Sequence, residues 1–142
     1  MKKILVLSGL CIIIVLICGC SGPTQDEEFK VLIQNVSSDF QGQKDLIVNP
    51  TKGLTAGELR QYKSAATSAR EVAGTLTLSD QYSKARGVFV QGMNATITAV
   101  DTLEQAGKVS EDGRIPTDSV NVYFISTQTK IDDTFNLIGI KR

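Results

Sequence analysis

The strongest nucleophiles a chain can offer are its thiols, and all three cysteines of this sequence, Cys11, Cys18 and Cys20, stand within its first 20 residues. Histidine is absent altogether. Its absence removes the commonest general base and the commonest metal ligand together, and with them serine–histidine and cysteine–histidine catalysis and the histidine-bearing zinc sites. Carboxylates and hydroxyls remain. Ser110-Glu111-Asp112-Gly113 has the acidity of a calcium loop, yet aligning Gly113 with the invariant glycine of an EF-hand puts Lys108 first and Ser119 last, and neither is a suitable ligand. Gly53-Leu54-Thr55-Ala56-Gly57 lacks the lysine of a phosphate loop and follows no strand. Tyr62, Tyr82, Thr96 and Thr127 are the remaining polar candidates. A buried tyrosine hydroxyl needs a partner, and the four together could line a small-molecule niche between helices. No metal set and no cofactor motif is expected.

Before any of these groups comes an address. Met1-Lys2-Lys3 is a short basic start, and residues 4–18 form an apolar run of 15 residues interrupted only by Ser8 and Gly9. A bilayer-spanning helix needs about 20 apolar residues, so the run reads as the core of an export signal rather than as a retained anchor. Directly after it stands Ile17-Cys18-Gly19-Cys20-Ser21. With the basic start and the apolar run, these residues resemble the lipoprotein signal peptides of bacteria and some archaea, in which an aliphatic residue lies three places before an invariant cysteine and a small residue just before it. Ile17 and Gly19 fill those places. The resemblance implies cleavage between Gly19 and Cys20, a diacylglyceryl lipid on Cys20 as the link to the membrane, and an extracytoplasmic location. Ser21 resembles the outer-membrane-sorted class if the cell has two membranes. The expected organisation is a signal peptide over residues 1–19, a lipidated tether over 20–23 and one folded domain over 24–142.

Cys11 and Cys18 then leave with the signal and Cys20 carries lipid, so the mature chain has no free thiol and no disulfide, and its stability must come from packing. Loss of Lys2 and Lys3 leaves 13 basic against 15 acidic residues, a net charge of −2. Adhesion to anionic lipid or to nucleic acid by charge is not expected from such a balance.

The elements that must position the polar candidates read as four amphipathic helices. Thr24-Gln25-Asp26-Glu27 has capping-box spacing, and Phe29, Leu32, Ile33, Val36 and Phe40 follow as one apolar stripe. That helix is predicted to end near Gln41-Gly42, with an irregular link to Leu54. Thr55-Ala56-Gly57-Glu58 is a second capping box, with Leu54 and Leu59 placed as a hydrophobic staple. Leu59, Tyr62, Ala66, Ala69, Ala73 and Leu76 then step by threes and fours. After a break at Leu78-Ser79-Asp80, a third helix continues the alternation through Tyr82, Ala85, Phe89, Gly92, Thr96, Ala99, Leu103 and Ala106, and Gly107 ends it in the left-handed conformation. Residues 108–116 read as a turn-rich loop. Thr117-Asp118 caps a fourth helix with the stripe Val120, Phe124, Thr127, Ile131, Phe135 and Ile138. Residues 120–125 have the composition of a strand but no partner strand, so they are assigned to that helix.

Short links between long amphipathic helices favour antiparallel neighbours, so the expected fold is all-α, an antiparallel up-and-down four-helix bundle after the cleaved signal. The small residues at the seams of the second and third helices let two backbones approach closely, and Gly92 is assigned to that contact. Gly74 and Gly87 are assigned to a solvated face. Glu58, Glu71, Asp101 and Glu104 fall off the seams, so the inward-pointing carboxylate pairs of di-iron bundles are not expected, and Asp132-Asp133 reads as a solvated pair. Asn35-Val36-Ser37 and Asn94-Ala95-Thr96 are glycosylation sequons, though both fall inside predicted helices rather than loops, and Asn49 is disqualified by Pro50.

Two functions are compatible with this inventory. The first is a non-enzymatic, lipid-anchored helical domain that binds an envelope protein or serves as a structural component, for which Ile138, Ile140 and Leu46-Ile47-Val48 are candidates for an exposed apolar patch. The second is a ligand-binding or sensor-like helical module at the cell surface.

Overall fold

The computed structural model describes residues 25–107 and 113–141. They are mostly helical, and among them five α-helices follow one another: α1 (Asp26–Asp39), α2 (Gln41–Val48), α3 (Ala56–Thr75), α4 (Asp80–Ala106) and α5 (Asn121–Leu137). Short 3-10 turns at Pro50–Lys52 and Asp118–Val120 precede α3 and α5, and two-residue strands β1 (Leu54–Thr55) and β2 (Arg114–Ile115) form an antiparallel ladder. The all-α expectation holds. Among the described residues no helix is long and apolar enough to cross a membrane, and the apolar run of residues 4–18 lies outside them.

The predicted start of α3 is present in full. The Glu58 backbone N–H donates to Thr55 Oγ1 at 3.2 Å, while the Glu58 carboxylate accepts from the Thr55 N–H at 2.8 Å and from its hydroxyl at 3.0 Å. The other end of α3 has no glycine cap; the Arg86 guanidinium donates instead to the carbonyl of Leu76 at 2.9 Å, so a cation from α4 satisfies the end of a helix whose dipole is negative there. Gly107 ends α4 with φ 60° and ψ 9°. Gly139 ends α5 with φ 73°, and the Ile140 and Gly139 N–H groups reach back to the Phe135 and Asn136 carbonyls at 3.0 and 3.2 Å, a Schellman arrangement.

Three local expectations need correction. The residue before α1 is Gln25 rather than Thr24, which lies outside the described residues, and Glu27 pairs with Lys30 at 2.5 Å rather than reaching back to a cap. The link between the first two predicted helices contains α2, which follows α1 after the single residue Phe40. Thr117 does not cap a helix with its side chain: its hydroxyl and its N–H both donate to the Pro50 carbonyl at 3.1 Å, and α5 starts after Val120. At Thr117 a contact from far along the chain displaces the local one. A hydroxyl already bonded to a distant carbonyl is lost to the nearby cap.

The buried side chains form two apolar clusters. One gathers Phe29, Ile33 and Phe40 with the small Ala66, Ala69, Ala73 and Ala85, and with Phe89, Met93, Ile131 and Phe135. The other gathers Leu46, Leu54 and Leu59 with Ala99, Val100, Leu103, Ile115, Val120 and Phe124. Gly92 is closely packed as predicted, but against α5 rather than α3: a Cβ there would lie 3.0 Å from Lys130 Cβ and 3.4 Å from the Thr127 carbonyl oxygen. Around Gly74 and Gly87 there is open space. Ala106, assigned to the seam, is exposed.

Candidate functional site

Between the two clusters the core turns polar. On α4, Thr96 lies between Met93 of the first cluster and Ala99 of the second; on α5, Thr127 and Gln128 lie between Ile131 and Phe124; on α2, Gln43 lies between Phe40 and Leu46. All four polar side chains are buried. Their hydrogen bonds run in one direction. Gln128 Nε2 donates to the Phe40 carbonyl at 3.1 Å and lies 3.4 Å from Gln43 Oε1, and Gln43 Nε2 donates to Thr96 Oγ1 at 3.2 Å. The Thr96 and Thr127 hydroxyls meet at 2.9 Å, and Thr127 Oγ1 stands 3.1 Å from the Gly92 carbonyl and 3.0 Å from that of Tyr123. Thr127 has one proton, which a carbonyl takes, so Thr96 donates to Thr127 and accepts from Gln43. Gln128 Oε1 is left buried with no partner.

Of the four residues assigned to a niche, the structure brings Thr96 and Thr127 together and holds the tyrosines elsewhere. Tyr82 packs edge-on to Phe29 with ring centroids 6.4 Å apart, under the Lys30 ammonium at 5.7 Å from its centroid. Tyr62 packs edge-on to Phe40 at 5.6 Å, and its hydroxyl lies 2.7 Å from where a Cβ on Gly42 would stand. Burial, helped by the nearby Glu58 and Asp45 charges, pushes the Tyr62 phenol up to about 12. The partners of the threonine pair, Gln43 and Gln128, are the residues the spacing argument missed. Gln128 adjoins Thr127 on the α5 stripe and was legible there, whereas Gln43 was hidden in a segment read as a loop.

The Phe40 carbonyl ties the junction of α1 and α2 to α5. It accepts the Gln43 N–H at 3.0 Å and the Gln128 amide at 3.1 Å. Phe40 stands just before α2 and its carbonyl opens that helix, so the Gln128 amide adds a long-range bond at the junction. The far end of α2 is met by the same partner helix, where Asn121 Nδ2 donates to the Ile47 carbonyl at 3.2 Å.

A second polar knot pins the irregular segments. Arg114 Nε donates to the Lys52 carbonyl at 2.8 Å, and Nη2 donates to the Gly53 carbonyl at 3.0 Å and to Glu58 at 3.2 Å. Burial alone would raise the Glu58 carboxyl, but the Thr55 N–H and hydroxyl and the Arg114 guanidinium outweigh it and hold the group below the usual carboxylate range. Gly53 has φ 62°, and a Cβ there would lie 2.7 Å from the Ile115 carbonyl oxygen.

The other carboxylates are spread out. Asp101 and Glu104 pair with Lys63 at 2.6 and 3.2 Å, Glu71, Asp132 and Asp133 are exposed, and no group of three metal-binding side chains occurs among the described residues. Asn35 and Asn94 are exposed within α1 and α4, and Asn94 Oδ1 accepts from Arg70 at 3.0 Å. Gly19 and Cys20, together with Lys108, Ser110, Glu111 and Asp112, lie outside the described residues. An open groove of about 380 Å³ is lined by Gln34, Gln41, Lys44 and Lys141 together with Phe135 and Ile140. Of the candidates for an apolar patch, Leu46 and Ile138 are buried, Ile47 and Ile140 are half-buried, and Val48 alone is fully in solvent, at 86% exposure. Val122 and Ile125 on α5 are exposed as well.

No protein-family model matches this chain, and comparison with curated proteins and with solved structures gave no match.

Proposed function

We propose that this chain is a lipid-anchored, extracytoplasmic helical domain of the cell envelope, without catalytic activity of its own, that serves as a structural or protein-interaction component. The observation that carries the reading is the run from Met1-Lys2-Lys3 through residues 4–18 to Ile17-Cys18-Gly19-Cys20. The use of the polar groups supports the non-enzymatic part. The buried amides and hydroxyls bond to one another between two apolar clusters, Glu58 closes a capping box, and Asp101 and Glu104 share a lysine. Groups spent in this way are fixed for architecture rather than poised for proton transfer.

The finer architecture in this reading is an up-and-down four-helix bundle of α1, α3, α4 and α5, with α2 laid against α5. The 76–79 link is short enough to force α3 and α4 antiparallel, and α4 packs most extensively on α5 and α3.

The test is an intact mass of the protein purified from the membranes of its native host. Residues 20–142 plus a diacylglyceryl group is the expected product, and a mass beginning at Met1 sinks the reading. Recovery of a stoichiometric partner from those membranes is expected as well; repeated recovery of the chain alone argues against an interaction role. The second reading, a ligand-binding module, is favoured by the groove between α1, α2 and the C-terminal residues, where amide and ammonium donors adjoin apolar side chains. A ligand at 100 times its dissociation constant adds about 2.7 kcal/mol of stability, so a thermal-shift screen of metabolites with no shift removes it.

A further inference from the structure

The first described residues are clamped. The Gln25 N–H donates to the Thr77 carbonyl at 3.0 Å and Gln25 Oε1 accepts the Thr77 N–H at 2.8 Å. Next to it, the Asp26 carboxylate accepts the Ser79 N–H at 3.0 Å and the Ser79 hydroxyl at 2.7 Å. Four hydrogen bonds therefore tie the start of α1 to the turn between α3 and α4. A further bond brings α5 to the same place, where Gln81 Nε2 donates to the Leu137 carbonyl at 2.6 Å. This end of the domain comprises the start of α1, the α3–α4 turn and the end of α5.

From Cys20 to Thr24 there are five residues, and five residues span at most about 18 Å even when fully extended. The 27 residues of α4 span about 40 Å. The leash is thus less than half the length of the domain that it holds, and it enters at one end of that domain.

We infer that the end formed by Gln25, the α3–α4 turn and the last turn of α5 is the surface that faces the bilayer, with α4 directed away from the membrane and the α2–β2 end outermost. The inference rests on the lipid anchor at Cys20. At this end Leu137 is 41% exposed and Leu78 is half-buried, while Glu27, Glu28 and Asp80 outnumber Lys30 and Lys84. The surface can therefore lie against a zwitterionic bilayer without needing anionic lipid, held there by the tether and by small apolar contacts rather than by charge. The exposed Val48 and Val122 belong to the opposite end, where Asn121 joins α2 to the start of α5, and are held clear of the lipid.

Because the mature chain has no cysteine beyond Cys20, one introduced thiol reports one position. The lipidated full chain, purified from a host that processes its signal, is labelled with a fluorophore at Thr77→Cys, Leu137→Cys, Val48→Cys or Val122→Cys. Each variant is reconstituted into phosphatidylcholine vesicles that contain a lipid with a nitroxide-quenching headgroup. Strong loss of fluorescence at residues 77 and 137, with little loss at 48 and 122, is the expected result. Equal quenching at both ends would mean that the domain lies on its side, and stronger quenching at 48 and 122 would mean that it is inverted; either overturns the inference. Flotation of the protein with the vesicles and its intact mass are read on the same samples. Lipidated, floating protein with the wrong quenching pattern overturns the orientation alone, whereas unlipidated protein that stays in solution overturns the anchor reading and the orientation with it.

Discussion

The half of the domain around Phe29, Ala73 and Phe89 and the half around Leu54, Leu103 and Phe124 are held together by different means. In the first, regular helices meet through a seam of alanines, and two edge-on aromatic pairs, Phe29 with Phe89 and Phe29 with Tyr82, fill the space that the alanines leave. In the second, a short helix, two 3-10 turns and a two-residue ladder wrap over a core of leucine, valine and phenylalanine, and point contacts from Arg114, Thr117 and Asn121 hold them in place. The first half depends on area and shape. The second depends on single polar atoms and on one backbone conformation.

Substitutions can separate the two mechanisms. The largest effect is expected at Phe89, which is fully buried against Phe29. Phe89→Ala should lower the unfolding free energy by about 3–5 kcal/mol in urea denaturation, and a loss no greater than that of an exposed alanine substitution would refute the idea that the aromatics hold the first half. Next comes Gly53, where a side chain would meet backbone and would have to adopt a positive φ. Gly53→Ala should cost about 1–3 kcal/mol, whereas Gly87→Ala, which adds a methyl into open space on a helix, should gain up to about 1 kcal/mol. Equal responses from the two glycines would erase the distinction between the halves.

The polar layer between them gives a smaller, more specific effect. Gln43→Leu removes a partner from both Gln128 and Thr96 while keeping much of the volume, so the cost should be about 1–3 kcal/mol from the buried groups left unpaired. Adding Gln128→Leu should then cost less than it does alone, and full additivity would show that the two amides do not act together.

The smallest effect is a matter of pH. Burial favours the neutral Tyr62 phenol, so its folded value is above the ordinary 10.0, at about 12. The unfolded chain ionises first, so the stabilisation is fully present below pH 10.0 and is lost as pH rises towards about 12. Tyr62→Phe should flatten that alkaline decline in a pH series of thermal melts, and an unchanged slope would place the phenol in water.

Helix boundaries set by local chemistry were legible beforehand. The Thr55–Glu58 box, the break before Asp80, the left-handed Gly107 and the close approach at Gly92 all follow from residues within a few positions of one another or from the spacing of one stripe. The interior of the candidate site was only half legible. Thr96 and Thr127 stood out because hydroxyls are conspicuous on an apolar stripe, and their pairing at 2.9 Å follows from two stripes that face each other. Gln43 did not stand out, because the segment around it has no long stripe and its amide partner is 85 residues away in the chain.

What the residues alone determined is what repeats or acts locally: amphipathic periods, caps, and the exclusion of histidine chemistry. What only the folded arrangement decided is each feature that depends on a partner distant in sequence. The junction at Phe40 is tied down by an amide 88 residues later, and Thr117 abandons its expected cap for a carbonyl 67 residues earlier. Such partners are chosen by burial. Once two apolar stripes come together, each polar group trapped between them must bond to whatever lies within about 3 Å, and sequence spacing carries no record of that neighbour.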